Sequence, residues 1–334
     1  MFEHSALHPK SNVIRLYMKR KNGGRGLISI EECVASEIRN LDEYIANSKE
    51  EILSFVAKEV PLQPDDIEGK NEYSSRIQKE KQDTLIEMPL HGQFERETRD
   101  LKTEDSWAWL TNGDLKRETE SLLMAAQEQA LNTNSIKKHI YACSETSLCR
   151  LCGEKEENVS HIISSCKMLA QREYKRRHDK ICSNVHWNLC KKFGFDVSDK
   201  WYQHRVDKVL ESEKVKILWD FDMQTDRVIE HRRPDILLIN KETNECFIID
   251  IAVPADYNID KKEFEKISKY SELKVELSRM LNKKTFVIPI VIGALGSIPK
   301  RLHSFAEKLG IRNDFMIWQK SALLGTAGIL RKVL

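Results

Sequence analysis

Residues 232–254 read Arg232-Arg233-Pro234-Asp235-Ile236-Leu237-Leu238-Ile239-Asn240-Lys241-Glu242-Thr243-Asn244-Glu245-Cys246-Phe247-Ile248-Ile249-Asp250-Ile251-Ala252-Val253-Pro254. Two apolar runs flank a polar turn at 241–245, the pattern of a β-hairpin. A turn centred between Glu242 and Thr243 sets Asp235 opposite Asp250, with Cβ atoms about 5 Å apart. Like charges in that position destabilise a sheet unless a cation lies between them, and a divalent ion such as Mg²⁺ meets the need. The apolar run 247–253 strengthens the reading, because an acid inside a buried strand requires a partner. A register slip of one residue, or a surface position for either acid, would undo the pairing.

Outward from the hairpin, further β-rich runs at 215–221 and 285–292 alternate with helical patterns at 261–282 and 299–309. This alternation predicts an α/β domain over 196–334 with a mixed central sheet. Upstream the texture is helical. Residues 106–195 open on Trp107, Trp109 and Leu110, continue in a helix from an Asp114 N-cap to about Leu131, and end in a basic helix over about 168–193. Residues 61–105 are charged and interrupted by Gly69, Pro89 and Gly92, and read as a linker with short helical pieces. Residues 1–60 combine a basic segment with a helix from Ile28 to about Val60, stopped by Pro61 and Pro64. The expected class is α+β and multidomain. No internal repeat is found.

Apolar residues make up 40% of the 334 and charged residues 32%, a balance that permits a core and leaves charge for a solvated arm. The net charge of +2 decides nothing about a polyanion partner, which needs only a local basic surface. Two runs offer one: Lys10 to Arg25, with six basic residues and no acid, and Lys167 to Lys180, with six against Glu173 and Asp179. Each also suits a solvated face. No stretch has the roughly 20 apolar residues that cross a bilayer, and the N-terminus has no apolar signal core, so an intracellular protein without a membrane partner is expected.

Cys149 and Cys152 are spaced CxxC, His161 follows nine positions after Cys152, and Cys166 five positions after His161. A CxxC turn presents two thiolates to one ion, Gly153 frees the backbone beyond it, and the remaining pair returns from a following helix. Four protein ligands imply a structural Zn²⁺. Unrelated buried cysteines are the alternative. Cys33, Cys143, Cys182, Cys190 and Cys246 fall outside the pattern and read as core thiols.

Pro234-Asp235, an acid fifteen residues on, and a later lysine resemble the PD-(D/E)xK nuclease family. That family's lysine usually stands two residues after the second acid, where this chain has Ala252. In the restriction-like endonucleases of site-specific non-LTR retrotransposons the lysine comes from the next helix in a KxxKY pattern, and Lys266-Ile267-Ser268-Lys269-Tyr270 is similar to it. On a helix Lys266 and Lys269 share a face and Tyr270 lies one turn from Lys266, so one lysine and the tyrosine hydroxyl can reach the same phosphate. An ordinary charged helix is the plain alternative. The likeness extends to Arg15-Leu16-Tyr17, Arg25-Gly26-Leu27, Trp107-Ala108-Trp109-Leu110, Ala125-Ala126-Gln127, Arg177-His178-Asp179, Ile217-Leu218-Trp219-Asp220 and Gly293-Ala294-Leu295-Gly296.

The resemblance implies the C-terminal part of a retrotransposon protein, with a CCHC zinc knuckle and a restriction-like endonuclease domain. It implies Mg²⁺-dependent nicking of target DNA for target-primed reverse transcription. Asp235 and Asp250 would hold Mg²⁺, and Lys266 first, or else Lys269, would orient water together with Tyr270. Arg176, Arg177, His178, Arg232 and Arg233 are candidate nucleic-acid contacts. Element RNA is a second candidate partner, and a nuclear location is expected. No Tyr/Phe-x-Asp-Asp polymerase box occurs, so a reverse-transcriptase domain is expected upstream. The rival readings are a zinc-knuckle binding module on an inactive nuclease fold, and a degenerate copy without a role.

Overall fold

The computed structural model describes residues 7–59, 68–101, 104–311 and 315–334. Its centre is a five-stranded mixed sheet: β1 (Val209–Glu211), β2 (Val215–Trp219), β3 (Ile236–Asn240), β4 (Glu245–Ala252) and β5 (Lys284–Val291), in that spatial order. The first four run antiparallel, and β5 joins β4 in parallel. Asn240 pairs with Glu245 and Ile236 with Ile249, so the hairpin has the register expected from its turn. Every residue of β3 is buried, as are all of β4 after Glu245. Near-continuous apolar runs are what a sheet covered on both faces requires.

Among the described residues the longer helices are α1 (Ile30–Asn47), α2 (Glu51–Glu59), α3 (Lys70–Glu87), α4 (Arg117–Gln127), α5 (Lys175–Lys192), α6 (Ile259–Lys269), α7 (Ser271–Leu281), α8 (Lys300–Leu309) and α9 (Phe315–Val333). The period of two in a strand sorts the two covers. Leu237, Ile239, Cys246 and Ile248 pack on Tyr270, Leu273 and Leu277, around α7. Ile236, Leu238, Phe247, Ile249 and Ile251 pack on Ile181, Val185 and Leu189 of α5, with α8 and Trp318 of α9 in the same cluster. The result is a mixed α and β architecture with helices on both sheet faces.

Several expectations are corrected. The helix from Ile28 divides into α1 and α2 at Ser48, whose backbone is extended; Val60, Pro61 and Pro64 lie outside the described residues. The segment read as a linker carries α3, whose Gln78 and Leu85 are buried. Asp114 has a positive φ and does not cap a helix; α4 starts after Lys116. The pattern at 261–282 is two helices meeting at Tyr270. Short β1 and long α9 were not foreseen. The boundary drawn at 195/196 cuts one apolar cluster, because α5 and the sheet share it. Helix α9 ties the halves together: Trp318 and Ala322 join the sheet cluster, while Leu323, Ala327 and Leu330 join the one containing Trp109, Leu123 and Ile162. A helix buried on most of its circumference has no polar stripe to announce it.

Three of the six basic residues in the N-terminal run are paired with acids. Arg15 is fully buried, 3.1 Å from Glu128, and donates to Gly23 O and Gln127 Oε1 at 2.8 and 2.9 Å. Arg20 and Arg25 share Glu120. Gln127 also donates to Leu295 O at 3.0 Å, which fastens this region to the loop after β5. No helix among the described residues is long and apolar enough to cross a membrane.

Candidate active site and metal centre

The cysteine motif forms one tight cluster. A single bridge between Leu148 and Glu156 closes a loop, and the Gly153 amide donates to Cys149 O at 2.8 Å with φ +67° at the glycine. That turn aims Cys149 and Cys152 inward. His161 opens a π turn, His161–Ser165, and Cys166 follows it directly. All four ligand atoms lie within 4.8 Å of one another, with Cys149 and Cys166 sulfurs 3.9 Å apart and Cys152 Sγ 3.4 Å from His161 Nε2. Zinc–sulfur bonds of about 2.3 Å and zinc–nitrogen bonds of about 2.0–2.1 Å give tetrahedral edges of roughly 3.5–3.8 Å. The group can hold a metal ion. Ser165 Oγ lies 3.3 Å from His161 Nδ1, and the Tyr174 hydroxyl donates to Ile162 O at 2.7 Å while accepting from Cys166 N, so both later ligands are braced.

Asp235 and Asp250 both lie at the far end of the hairpin from its turn. Asp235 immediately precedes β3, where β4 runs on without a β3 partner. Its carboxylate replaces the missing strand: Oδ2 accepts from Ile251 N at 2.7 Å. Asp250, one residue beyond the last position of β4 that pairs with β3 and itself paired with β5, is almost fully buried. Lys266 Nζ forms an ion pair with Asp250 Oδ2, and the Tyr270 hydroxyl donates to Oδ1 at 2.5 Å. Lys269 Nζ is 3.9 Å from Oδ1 and donates to the Tyr270 oxygen at 3.0 Å. The KxxKY stretch, at the end of α6, therefore converges on Asp250 from the helix covering that face. Burial raises the Tyr270 phenol pKa first, and the Asp250 charge adds to it, so the hydroxyl keeps its proton.

His178 belongs to this site. It projects from α5 across the sheet end, with Nε2 3.1 Å from Asp235 Oδ2 and Nδ1 3.1 Å from Asp179 Oδ1. Burial opposes its charging, but the two carboxylates outweigh burial and push the imidazole well above its ordinary value. Burial likewise raises Asp235, and the His178 bond, its charge and the Ile251 amide more than reverse this, leaving the carboxyl below its ordinary value. The expectation of His178 as an outward phosphate contact is thus replaced by an acid partner. Arg177 is corrected more strongly. It is 2% exposed and donates to Thr326 Oγ1 and Val253 O at 2.8 and 3.0 Å, which makes it a brace between α5, α9 and the sheet.

Beside Asp235 lies a cleft of about 610 Å³ lined by Lys175, His178, Asp179, Asp220, Asp235 and Lys266. A second groove, of about 950 Å³, shares Lys175 and Asp179 with it and is lined by Arg172, Arg176, Lys180, Trp201 and Tyr202. Arg176 is exposed there, on the same helix as the buried Arg177. Arg232 and Arg233 are also exposed, paired with Asp222 and Asp220 at 2.7 Å. Trp201 and Tyr202 were missed by the sequence reading. Their signal was an adjacent aromatic pair just past the basic helix. Of the cysteines read as core thiols, Cys182, Cys190 and Cys246 are buried, but Cys33 and Cys143 are exposed.

For Mg²⁺ the acids provide the hard oxygen donors it requires. Asp250 Oδ2 is buried, with the Lys266 ammonium set against it as its partner. That oxygen fits a cation. No family model matches this chain, and no curated protein matches it significantly.

Proposed function

We propose that the chain is a metal-dependent endonuclease that nicks DNA, of the restriction-like type that it resembles in site-specific non-LTR retrotransposons. The observation that carries this reading is Asp250: a buried carboxylate at a strand end, level with Asp235, with Lys266 and Tyr270 both turned onto it. A buried acid needs partners wherever it sits; what favours a functional role is that one of them, Lys266, also lines the cleft onto which Asp235 opens.

Asp235 and Asp250 would hold Mg²⁺, which when bound polarises a phosphate and lowers the pKa of water. Lys266 supplies a positive charge where negative charge develops on the phosphate. Tyr270 holds Asp250 in a fixed rotamer, and Lys269 reaches the same point through the tyrosine oxygen. His178 holds Asp235 from the opposite side. Arg172, Lys175, Arg176 and Lys180 offer phosphate contacts, and Trp201 and Tyr202 offer stacking faces for an unpaired base. The cysteine cluster would take Zn²⁺ as a structural ion. Under this reading the partners are target DNA and element RNA, the location is nuclear, and the 3′-hydroxyl left by the nick primes reverse transcription.

A second reading has one observation in its favour. Both acids already have protein cations, Lys266 on Asp250 and His178 on Asp235, so the site is electrostatically satisfied without an ion. A nuclease fold retained only to bind nucleic acid would look the same. Supercoiled plasmid with Mg²⁺ at low salt separates the two. Relaxation that EDTA stops and Asp250→Ala abolishes supports the nuclease; salt-sensitive binding without any cut supports the binding module and ends the nuclease claim.

A further inference from the structure

Away from the acids and the cysteine knuckle, three potential ligands meet on α5. His186 and Cys190 stand one turn apart on α5, so their side chains leave the same helix face. His204 returns to that face from the segment after α5, immediately beyond the short turn Trp201–Gln203. Their ligand atoms all lie within 4.8 Å of one another. His186 Nδ1 is 2.8 Å from His204 Nε2 and 3.4 Å from Cys190 Sγ. His186 and Cys190 are fully buried, and His204 is half-buried.

Hydrogen bonding alone serves this arrangement poorly. His186 Nδ1 has either one proton or one lone pair, and it faces both an imidazole nitrogen and a sulfur. Two imidazoles and one thiol converging on a point are instead the donor set of a borderline ion. We propose that His186, Cys190 and His204 form a second zinc site, distinct from Cys149, Cys152, His161 and Cys166, with the fourth position open to water on the His204 side.

The geometry needs a small adjustment. A sulfur–nitrogen edge of 3.4 Å fits a tetrahedral ion, whereas the 2.8 Å nitrogen–nitrogen edge must open to roughly 3.3 Å. His204 lies outside any helix or strand, so opening that edge breaks no backbone ladder. Cys190 is a thiol in the metal-free protein, and its proton leaves to solvent as zinc binds. Asp207, three residues beyond His204, acts electrostatically on both Cys190 and His204 and adds the negative charge that a dication favours.

The site would fix the segment that carries Trp201 and Tyr202 to the rigid face of α5, and so set one wall of the basic groove. It stands whether or not the chain cuts DNA. Native mass spectrometry of the full chain, purified with zinc and without chelator, tests it. The expected count is two zinc ions per chain, falling to one in Cys190→Ser and to a different one in Cys152→Ser. His204→Gln, a change outside any helix or strand, is also expected to leave one, with an unchanged far-ultraviolet circular dichroism spectrum. Cobalt substitution adds an independent readout, since Cys190→Ser removes only part of the sulfur-to-cobalt absorption. A wild-type count of one that vanishes in Cys152→Ser, or a count of two retained in folded His204→Gln, overturns the proposal.

Discussion

The knuckle residues Cys149, Cys152, His161 and Cys166 come from one short stretch, and a single backbone bridge with one left-handed glycine brings them together. The groups around Asp235 and Asp250 come from four places: α5, the start of β3, the end of β4 and the end of α6. The first cluster is a product of local geometry. The second exists only when helices from both sheet faces reach one strand end. A local site fails by itself when a ligand is lost, whereas an assembled site also fails when any of its supports moves.

The largest effects test the assembled site. Lys266→Ala is expected to lower the nicking rate by about 10²–10³-fold, the scale for removing one preorganised charge from a developing oxyanion. Lys269→Ala, whose ammonium stands 3.9 Å from Asp250, is expected to lose less. Single-turnover plasmid nicking measures both, and an equal loss would show that distance to Asp250 does not rank the lysines.

Cys149→Ser probes the local site. It should release the knuckle zinc and cost about 3 kcal/mol or more. Because Cys149 and Cys166 lie in the same apolar cluster as Trp109 and Leu330, the loss should also raise proteolysis in α9. Denaturant unfolding with mapped cleavage reads this, and damage confined to the 149–166 stretch would mean the knuckle is an independent module.

Groove contacts are expected to be weaker. Arg176→Ala should reduce the salt slope of nucleic-acid binding by about one. Arg177→Ala should instead destabilise the fold, since its guanidinium is enclosed. Binding isotherms at several salt concentrations, paired with melting curves, would contradict the assignment if the two variants behaved alike.

The smallest effect concerns pH. Asp235 is held below its ordinary value of 3.8, so its part of the stability is present above that pH and lost as acid titrates the folded carboxylate. His178 is raised above 6.5, so its part is complete below that pH and declines as pH rises toward its elevated folded value. The stability difference between wild type and His178→Asn is therefore expected to be largest between about pH 4 and 6.5. Metal-free melts across pH 3–9 measure it, and a difference that grows above pH 7 would contradict the pairing.

The sequence by itself determined whatever depends on near neighbours. The turn at 242–243 gives the Asp235–Asp250 register, because a short hairpin leaves little choice of pairing. The CxxC spacing gives the knuckle, because four ligands in one short stretch need only local turns to meet. The KxxKY stretch gives Lys266 and Tyr270 one helix face. Only the tertiary structure decided the rest. Arg176 and Arg177 look identical in a basic run, yet one lines the groove and the other is enclosed by Thr326 and Val253. His178 found Asp235, and His204 found His186, across gaps that no local pattern spans. Helix α9, apolar around most of its surface, unites two cores that composition had separated. Burial and long-range contact are set by what the chain packs against, and periodicity records only which side of an element is apolar.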